Sequence, residues 1–204
     1  MTVDTPFAAA AERNAWPIFG VLSRELPEQG SVLEIGTGTA QQAVVFAGEL
    51  TGIRWQPSDV AANLEGIRQR LKTEQLANIA DPIELDVLHT PQQIGRFDHA
   101  YSSNTAHIMS EAGVAAMFQL LGRALRHRSL FCLYGPFRVG GQFTTDSNAR
   151  FDAMLRGQDP SMGIRDLEAL DKLALAEGMR RLRLYALPSN NLLVIWRMEE
   201  GRQQ

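Results

Sequence analysis

A short apolar segment, a turn with two glycines and an amphipathic helix follow one another near the start of the chain. This succession constrains the fold more than any other feature. The apolar segment covers residues 31–35, and Gly36 and Gly38 lie in the turn that follows it. Beyond the turn, the apolar residues at positions 40, 43, 44 and 47 share one helical face. The pattern predicts a strand, a tight turn and a helix, which is the repeating unit of α/β proteins.

The same alternation continues beyond this unit. Residues 53–57, 83–87, 97–103 and 130–134 each have the length and the apolar character of a buried strand. Stretches with apolar residues at helical spacing separate several of them. Because strands that alternate with helices form right-handed crossovers, the sequence predicts an α/β fold with a doubly wound, mostly parallel sheet and helices on both faces.

The two ends of the chain depart from this alternation. Apolar residues at helical spacing over residues 18–26 stop before Pro27, which predicts an extra N-terminal helix ahead of the first strand. Near the other end, two apolar segments at 182–186 and 192–198 are joined by the short turn 188–191. Strands joined so closely must run antiparallel, because a parallel return needs a crossover of a dozen or more residues. We therefore expect the last strand to be antiparallel.

The length and composition favour a single domain. The chain has 204 residues, and one domain usually holds roughly 100–200. No internal repeat, low-complexity tract or linker interrupts the pattern. We expect one domain over residues 1–204, in which an N-terminal helical segment (1–30) and an insert (136–166) form lids over the site.

Charge and cysteine content exclude several classes of function. The 20 Lys and Arg residues against 23 Asp and Glu give a net charge of −3, so no broad positive field exists to hold nucleic acid. Cys132 is the only cysteine, which rules out an intramolecular disulfide and fits a reducing cytoplasm. No segment approaches the roughly 20 apolar residues of a membrane span. We expect a cytoplasmic protein without metal, nucleic acid or membrane partners, and both a monomer and a homodimer remain open.

The chemistry of the chain is expected where the first strand ends. Gly36 and Gly38 lack a Cβ atom, so the backbone there can turn tightly and approach a ligand closely. Asp59 follows Glu34 by 25 positions and ends the second predicted strand, where a carboxylate can accept hydrogen bonds from ribose hydroxyls. These features predict a nucleoside ligand.

The missing third glycine indicates which nucleoside carrier fits. Dinucleotide binding favours the pattern G-x-G-x-x-G, and position 41 is Gln. The Glu34 carboxylate would repel a pyrophosphate but suits a cationic ligand such as S-adenosylmethionine. Methyl transfer is therefore favoured over hydride transfer. Two alternatives stay open: an NAD(P)-dependent oxidoreductase and a non-catalytic protein that binds S-adenosylmethionine or a partner.

The residues so far resemble those of class I (Rossmann-like) S-adenosylmethionine-dependent methyltransferases. The resemblance depends on Glu34-Ile35-Gly36-Thr37-Gly38, Asp59, Leu85-Asp86-Val87 and the strand leading to Asn104. More narrowly, a little-characterised methyltransferase-like family, formerly classed as a domain of unknown function, is similar over Glu12-Arg13-Asn14, Trp55–Asp59, Tyr134–Phe137, Ile164–Leu167 and Asn190-Asn191-Leu192. The resemblance implies a seven-stranded sheet whose last strand lies antiparallel between its neighbours. The chain departs from this family at Thr39-Ala40-Gln41-Gln42, where relatives typically have Thr-Gly-Gln-His.

The resemblance also implies a cofactor site. Asp59 would bind the ribose hydroxyls, Asp86 the adenine amino group, and Arg13 the methionine carboxylate through its guanidinium. Asn104 would face the transferring methyl group or the cofactor's amino group. The full set of expected cofactor contacts is Arg13, Glu34, Gly36, Thr37, Gly38, Asp59, Asp86, Val87 and Asn104.

The methyl acceptor is expected to be a small molecule, because little of the chain lies outside the sheet, its helices and the two lids. His107 and Asn104 follow the fourth strand, and His107 is the candidate general base for an acceptor that keeps a proton. The acceptor pocket is expected to be formed by Tyr134, Arg138, Asn190 and Asn191. If Arg13, Arg138 and Arg165 converge, the acceptor would be acidic.

Overall fold

Strands and helices alternate along the chain in the computed structural model, which describes residues 7–89 and 94–200. The helices are α1 (Ala9–Glu25), α2 (Gln41–Glu49), α3 (Ala61–Glu74), α4 (Glu111–Ala124), α5 (Asp146–Gln158) and α6 (Leu167–Ala176). The strands are β1 (Gly30–Ile35), β2 (Ile53–Asp59), β3 (Ile83–Glu84), β4 (Phe97–Ser103), β5 (Leu125–Gly135), β6 (Phe137–Val139), β7 (Gln142–Phe143), β8 (Arg165–Asp166), β9 (Met179–Leu187) and β10 (Asn191–Met198). Among the described residues, no helix has both the length and the apolar character needed to cross a membrane.

The main sheet has seven strands in the order β3-β2-β1-β4-β5-β10-β9. Strands β1 to β5 pair in parallel. Strand β10 runs antiparallel to both of its neighbours, β5 and β9. The predicted doubly wound α/β fold, with its antiparallel last strand and extra N-terminal helix, is therefore confirmed.

Two apolar clusters cover the two faces of this sheet. Helices α1, α2 and α3 pack on one face, where Phe46, Trp55 and Tyr101 contact one another with ring centroids 5.4–5.9 Å apart. Helices α4 and α6 pack on the other face, where Phe131 stacks on Trp196. Because side chains alternate along each strand, the central strands contribute to both clusters.

The third strand is shorter than the sequence predicts. A strand over 83–87 was expected, but pairing with β2 ends at Glu84. The next residue, Leu85, still donates its N–H to the Asp59 carbonyl at 2.8 Å. The Asp86 side chain then accepts a hydrogen bond from the N–H of Leu88 at 3.0 Å, which turns the chain away from the sheet.

The insert after β5 has its own secondary structure. Strands β6, β7 and β8 form a small sheet in the order β7-β6-β8. Helix α5 lies between β7 and β8 in the chain, and the Thr145 side chain caps it by accepting the N–H of Asn148 at 3.2 Å. The Asn148 side chain of α5 donates to the Asn190 carbonyl at 3.1 Å, which connects the insert to the turn between β9 and β10.

Candidate active site

A cavity of about 770 Å³ opens at the carboxyl ends of β1, β2 and β4. The turn after β1, the end of β2 and the residues after β4 form its floor, and residues of α1 and α5 form its walls. Its volume falls in the range of small-molecule sites, roughly 300–1,000 Å³. An open α/β sheet binds ligands at this edge, so the cavity is the candidate active site.

The turn after β1 has the backbone that only glycine adopts easily. Gly36 and Gly38 have φ angles of 73° and 61°, in the left-handed region. A Cβ atom at Gly36 would overlap the methyl group of Thr105, whereas a Cβ at Gly38 would meet no atom within 4 Å. Gly36 is thus required by packing, and Gly38 leaves open space over the cavity that it lines.

The departure from the family pattern at residue 40 keeps the backbone of a glycine. Ala40 has a φ angle of 58° and lies fully buried before α2. The two glutamines that follow connect α2 to α1. Gln41 accepts the N–H of Ala8 at 2.7 Å, and Gln42 donates to the Ala11 carbonyl at 3.1 Å. Gln42, which takes the place of the family's histidine, is therefore a structural link as well as a lining residue of the cavity.

Asp59 lies at the end of β2 and faces the glycine turn. One carboxylate oxygen, Oδ2, accepts the N–H of Gly38 at 2.6 Å. The other, Oδ1, accepts the N–H of Val60 and the side-chain amide of Asn63, each at 2.8 Å. An ionised carboxylate has about four acceptor positions, so a ligand hydroxyl can still bind. Asn63 also lines the cavity; its position one helical turn after Asp59 was the only signal for it in the sequence.

Glu34 is buried beside the glycine turn and lines the cavity. Its Oε2 atom accepts hydrogen bonds from the Thr37 hydroxyl at 3.1 Å and from the Trp55 indole at 3.0 Å. Burial raises the pKa of the Glu34 carboxyl to about 7, and the nearby Asp59 charge adds to the rise. A positively charged ligand group would stabilise the ionised form.

Asp86 and Val87 lie in a second, smaller recess of about 160 Å³. This recess shares Gly36 and Asp59 with the main cavity, so the two are neighbours. The Asp86 carboxylate is partly exposed and binds the His89 ring at 2.9 Å, and this hydrogen bond is the main cause that lowers the pKa of Asp86. The structure thus brings the three predicted carboxylates, at positions 34, 59 and 86, to one edge of the sheet.

Asn104 and His107 line the main cavity after β4. Asn104 has a left-handed φ of 57°, which asparagine tolerates better than most residues. The His107 ring meets the edge of the Phe151 ring at 5.3 Å. Burial lowers the pKa of His107 to about 4, and the positive charge of Arg165 contributes. The imidazole is therefore neutral near pH 7 and can accept a proton or a hydrogen bond.

Three residues expected to form the acceptor pocket do not line the cavity. Tyr134 is buried in the core, with its hydroxyl accepting from the Asn191 amide at 2.9 Å. The Arg138 guanidinium lies over the Phe143 ring, 5.8 Å from its centroid. Asn190 is exposed and donates to the Ser147 hydroxyl at 3.1 Å. The sequence indicated that these three residues lie near strand ends or turns, but it did not indicate where their side chains point. Arg13 and Asn191 do line the cavity.

Several lining residues were not predicted. Asn14 belongs to a segment that carried the family resemblance, and its buried Oδ1 atom has no hydrogen-bond partner among the described residues. Asn148 and Phe151 come from α5, whose apolar periodicity gave no sign of a polar wall. The lining residues missed from the sequence are Ala8, Ala10, Ala11, Asn14, Thr39, Gln42, Val60, Asn63, Ser103, Thr105, Ile108, Met109, Pro136, Ser147, Asn148, Phe151 and Ser189. In residues 7–89 and 94–200, no cluster of three or more His, Cys, Asp or Glu side chains could hold a metal ion.

A protein-family model and several solved structures match this chain. The family model, described as "Protein of unknown function (DUF938)", matches residues 5–198. An O-methyltransferase family protein from Burkholderia thailandensis superimposes with a TM-score of 0.80 at 13% identity, over 95% of this chain and 58% of that one. Mitomycin 7-O-methyltransferase MmcR gives 0.77 at 14% identity, over 91% and 54%.

The SAH-bound form of CalO1, a methyltransferase in calicheamicin biosynthesis, gives a TM-score of 0.74 at 15% identity, over 92% of this chain and 54% of that one. The chain thus spans only a little over half the length of the proteins it matches. At these identities the similarity establishes a Rossmann-like methyltransferase fold.

Proposed function

The chain belongs to the DUF938 family of proteins of unknown function, and from that premise we propose that it is an S-adenosylmethionine-dependent methyltransferase that acts on a small molecule. One observation carries the proposal: Glu34, Asp59 and Asp86 lie along one edge of the sheet, beside a glycine turn that is open to a cavity. Three carboxylates suit a cationic nucleoside and repel a pyrophosphate. The methyltransferases among the structural neighbours support the same conclusion.

The residues present fit the proposed cofactor. Gly38 leaves space where a ligand can approach the backbone, and Asp59 keeps acceptor capacity for ribose hydroxyls. Asp86 and Val87 line the adjoining recess, which suits the adenine. Arg13 lines the main cavity and can pair with the methionine carboxylate. The unpartnered Asn14 Oδ1 is an acceptor for a donor such as the ammonium group.

The mechanism follows from the chemistry of these side chains. When bound, S-adenosylmethionine supplies a methyl group on a positively charged sulfur that departs as a neutral thioether. Because the leaving group needs no acid, the protein contributes alignment and exclusion of water. The neutral His107 imidazole can accept a hydrogen bond from an acceptor hydroxyl. Its pKa of about 4 makes it a weak base, but the hydroxyl becomes strongly acidic as its oxygen gains the methyl group, and His107 can then take the proton. Asn104 lines the same cavity, which suits an orienting role.

The lids are part of the proposal. Helix α1 belongs to the segment 1–30 and α5 to the insert 136–166, and residues of both helices line the cavity. Residues 1–6 of the first segment lie outside the described part of the chain. Closure of either segment over bound ligands would exclude water from the site. The single-domain organisation, the cytoplasmic setting and the oligomeric state stay predictions.

Calorimetric titration tests the cofactor. We expect S-adenosylmethionine to bind and NAD and NADP not to bind. Asp59→Ala should weaken binding by about 1–3 kcal/mol through loss of a hydrogen bond to the ligand, and Asp86→Ala by less, because that side chain is partly exposed. Asp81→Ala removes an exposed carboxylate that lines neither cavity and should leave affinity unchanged. Binding of NAD or NADP in place of S-adenosylmethionine would instead identify an oxidoreductase.

Turnover is tested separately. The protein is incubated with S-adenosylmethionine and fractionated small-molecule extracts, and formation of S-adenosylhomocysteine is measured. We expect production that depends on a specific fraction. If the cofactor binds but no fraction supports turnover, the chain is a binding protein and not an enzyme.

A further inference from the structure

The insert and the turn between β9 and β10 supply one group of the residues that line the cavity. The group includes Ser147, Asn148 and Phe151 from α5, together with Ser189 and Asn191. None of these side chains carries a charge. The charged lining residues in the described part of the chain are Arg13, Glu34 and Asp59, which belong to α1, β1 and β2. We name Asn148, Phe151, Asn191 and His107 the acceptor subsite.

The amide of Asn148 is fixed so that its oxygen is available to a ligand. The side chain is only 5% exposed. Its Nδ2 atom donates to the Thr144 hydroxyl at 2.9 Å and to the Asn190 carbonyl at 3.1 Å. A carbonyl can only accept, so this contact fixes which end of the amide is nitrogen. Both amide hydrogens are used, and Oδ1 remains as an acceptor.

Asn191 and His107 complete this pattern. The Asn191 amide donates to the Tyr134 hydroxyl at 2.9 Å, which leaves its own oxygen as an acceptor. The His107 ring is neutral near pH 7 and has a lone pair on one nitrogen. Apolar surface from Phe151, Ile108 and Pro136 lies around these groups. The subsite therefore offers acceptors on an apolar wall, which match a molecule that donates hydrogen bonds.

Two of the three arginines that could have held an acidic acceptor, Arg138 and Arg165, do not line the cavity. The buried Arg165 guanidinium donates to the carbonyls of Ala106 at 3.0 Å and Ser161 at 2.8 Å, and also to that of Met109. Arg138 lies over the Phe143 ring, and neither arginine lines the cavity. Arg13 does line it, from α1, and its charge acts on Tyr134, whose hydroxyl accepts from Asn191. The proposed function assigns the Arg13 guanidinium to the cofactor carboxylate. An anionic acceptor would thus lose its hydration without direct contact to either arginine, and it would face the acceptor oxygens of Asn148 and Asn191.

We infer that the methyl acceptor is an uncharged small molecule with an apolar body and a hydroxyl group, and that the subsite rejects carboxylates and phosphates. The hydroxyl donates its one hydrogen to an acceptor atom of the subsite. On methylation its oxygen forms a bond to the methyl carbon, the carbon–sulfur bond of the methyl donor breaks and leaves a neutral thioether, and the hydroxyl proton passes to His107. This inference rests on the proposed function, which supplies the methyl donor.

Three probes that share a 4-methylphenyl group test the inference: 4-methylphenol, 4-methylbenzoate and 4-methylbenzylamine. Each is titrated into the isotope-labelled protein saturated with S-adenosylhomocysteine, and the side-chain amide signals of Asn148 and Asn191 are followed by NMR. We expect 4-methylphenol to shift both signals and to bind at least about tenfold more tightly than 4-methylbenzoate. Equal or tighter binding of 4-methylbenzoate would overturn the inference, and so would the absence of any shift with 4-methylphenol.

A variant that places a negative charge in the subsite tests the same inference from the side of the protein. In Asn191→Asp the Tyr134 hydroxyl can donate to the new carboxylate, so the contact between the two side chains is kept. This variant should bind 4-methylbenzylamine about tenfold more tightly than the wild type does, because a counter-ion is now present. Gln142→Glu makes the same change on the exposed strand β7, outside the cavity, and should not alter probe binding. An unchanged preference in Asn191→Asp would show that residue 191 does not face the acceptor.

Failure of the proposed function can be distinguished from failure of the inference about the subsite. If S-adenosylhomocysteine itself does not bind, the proposed function fails, and the three probes are then titrated into the protein alone. The inference about the subsite is still supported if 4-methylphenol is preferred there, and is overturned if 4-methylbenzoate is.

Discussion

At the scale of single residues, Gly36 and Gly38 share a left-handed backbone but not the same surroundings. In Gly36→Ala, strain and overlap with Thr105 act together, so we expect the free energy of unfolding to fall by about 2–4 kcal/mol. In Gly38→Ala only the strain applies, about 1–2 kcal/mol, but the new methyl group enters the cavity. Gly38→Ala should therefore fold, yet lose affinity for S-adenosylhomocysteine. Urea unfolding and calorimetric titration measure the two effects.

The control for this pair is Gly140→Ala, at a left-handed glycine of the insert with no atom near its Cβ position. This variant should show the strain cost without loss of affinity. If Gly38→Ala bound S-adenosylhomocysteine as the wild type does, the glycine turn would not be the place where the cofactor approaches the backbone.

The raised pKa of Glu34 makes stability depend on pH. Burial raises this pKa from 4.5 in the unfolded chain to about 7 in the folded protein. The folded state therefore binds the proton more tightly, and the free energy of unfolding falls as the pH rises from about 4.5 to 7. The Glu34 contribution to this fall is about 3 kcal/mol. Urea unfolding of the wild type and of Glu34→Gln across this range measures the difference between their slopes.

Because the two proteins share all other titrating groups, the difference between their free energies of unfolding reports on Glu34 alone. This difference should be constant below pH 4.5, and it should level off again above pH 7. Parallel curves throughout the range would mean that the pKa of Glu34 is not raised on folding. Such a result would place a cation or water next to its carboxylate.

At the scale of elements, β8 holds the loop that carries His107. The Arg165 guanidinium binds the carbonyls of Ala106 and Met109, on either side of His107, and the N–H of Gly163 donates to the His107 carbonyl at 2.9 Å. Arg165→Met leaves buried carbonyls without a donor, so we expect a loss of stability of about 3–5 kcal/mol. Removal of the positive charge should also raise the pKa of His107, because Arg165 contributes to lowering it. NMR titration of the imidazole checks this.

Arg165→Lys keeps the charge but loses the planar donors, so it should destabilise the protein and leave the His107 pKa low. Arg150→Met removes an exposed cation from α5 and should change neither quantity. If the His107 pKa stayed the same in Arg165→Met, burial alone would account for the neutral imidazole.

The elements that the sequence predicted well are those with long apolar periodicity. Strands β1, β2, β4, β5 and β10 hold between six and eleven residues each, which is long enough for the spacing of their apolar residues to be recognised. Strands β6, β7 and β8 hold only two or three residues each, too few to produce any period. The position of the insert in the sequence could therefore be predicted, but its three short strands could not.

The candidate site was predictable only in part, for a related reason. Glu34 and Asp59 end strands, and the topology of a parallel sheet brings such ends together. Asn148 lines the cavity from α5, and its hydrogen bond to the Asn190 carbonyl connects distant parts of the chain. Contacts of that kind depend on how the insert packs, and no local pattern encodes them. The neutral state of His107 likewise results from burial in the folded protein.

At the scale of the whole molecule, the two apolar clusters share their strands. In β5, Phe131 and Leu133 belong to one cluster, while Cys132 and Tyr134 belong to the other. The same division holds along β10, where Val194 and Trp196 face α4 and α6, and Leu193 and Ile195 face the opposite side. Neither cluster can therefore lose its strands without exposing the other to water.

This shared sheet predicts that both faces unfold in one transition. Trp55 and Trp196 are fully buried in opposite clusters, and Trp16, the remaining tryptophan, is 59% exposed. Two double variants each keep one buried tryptophan as a fluorescent reporter. Trp16→Phe with Trp55→Phe keeps Trp196, and Trp16→Phe with Trp196→Phe keeps Trp55. Both will be less stable than the wild type, since each removes an indole hydrogen bond. Within each variant, however, the fluorescence midpoint in urea should coincide with the midpoint from far-ultraviolet circular dichroism, as two-state unfolding requires. A fluorescence transition that precedes the loss of secondary structure in either variant would mean that one face opens by itself, and that the chain is not one cooperative domain.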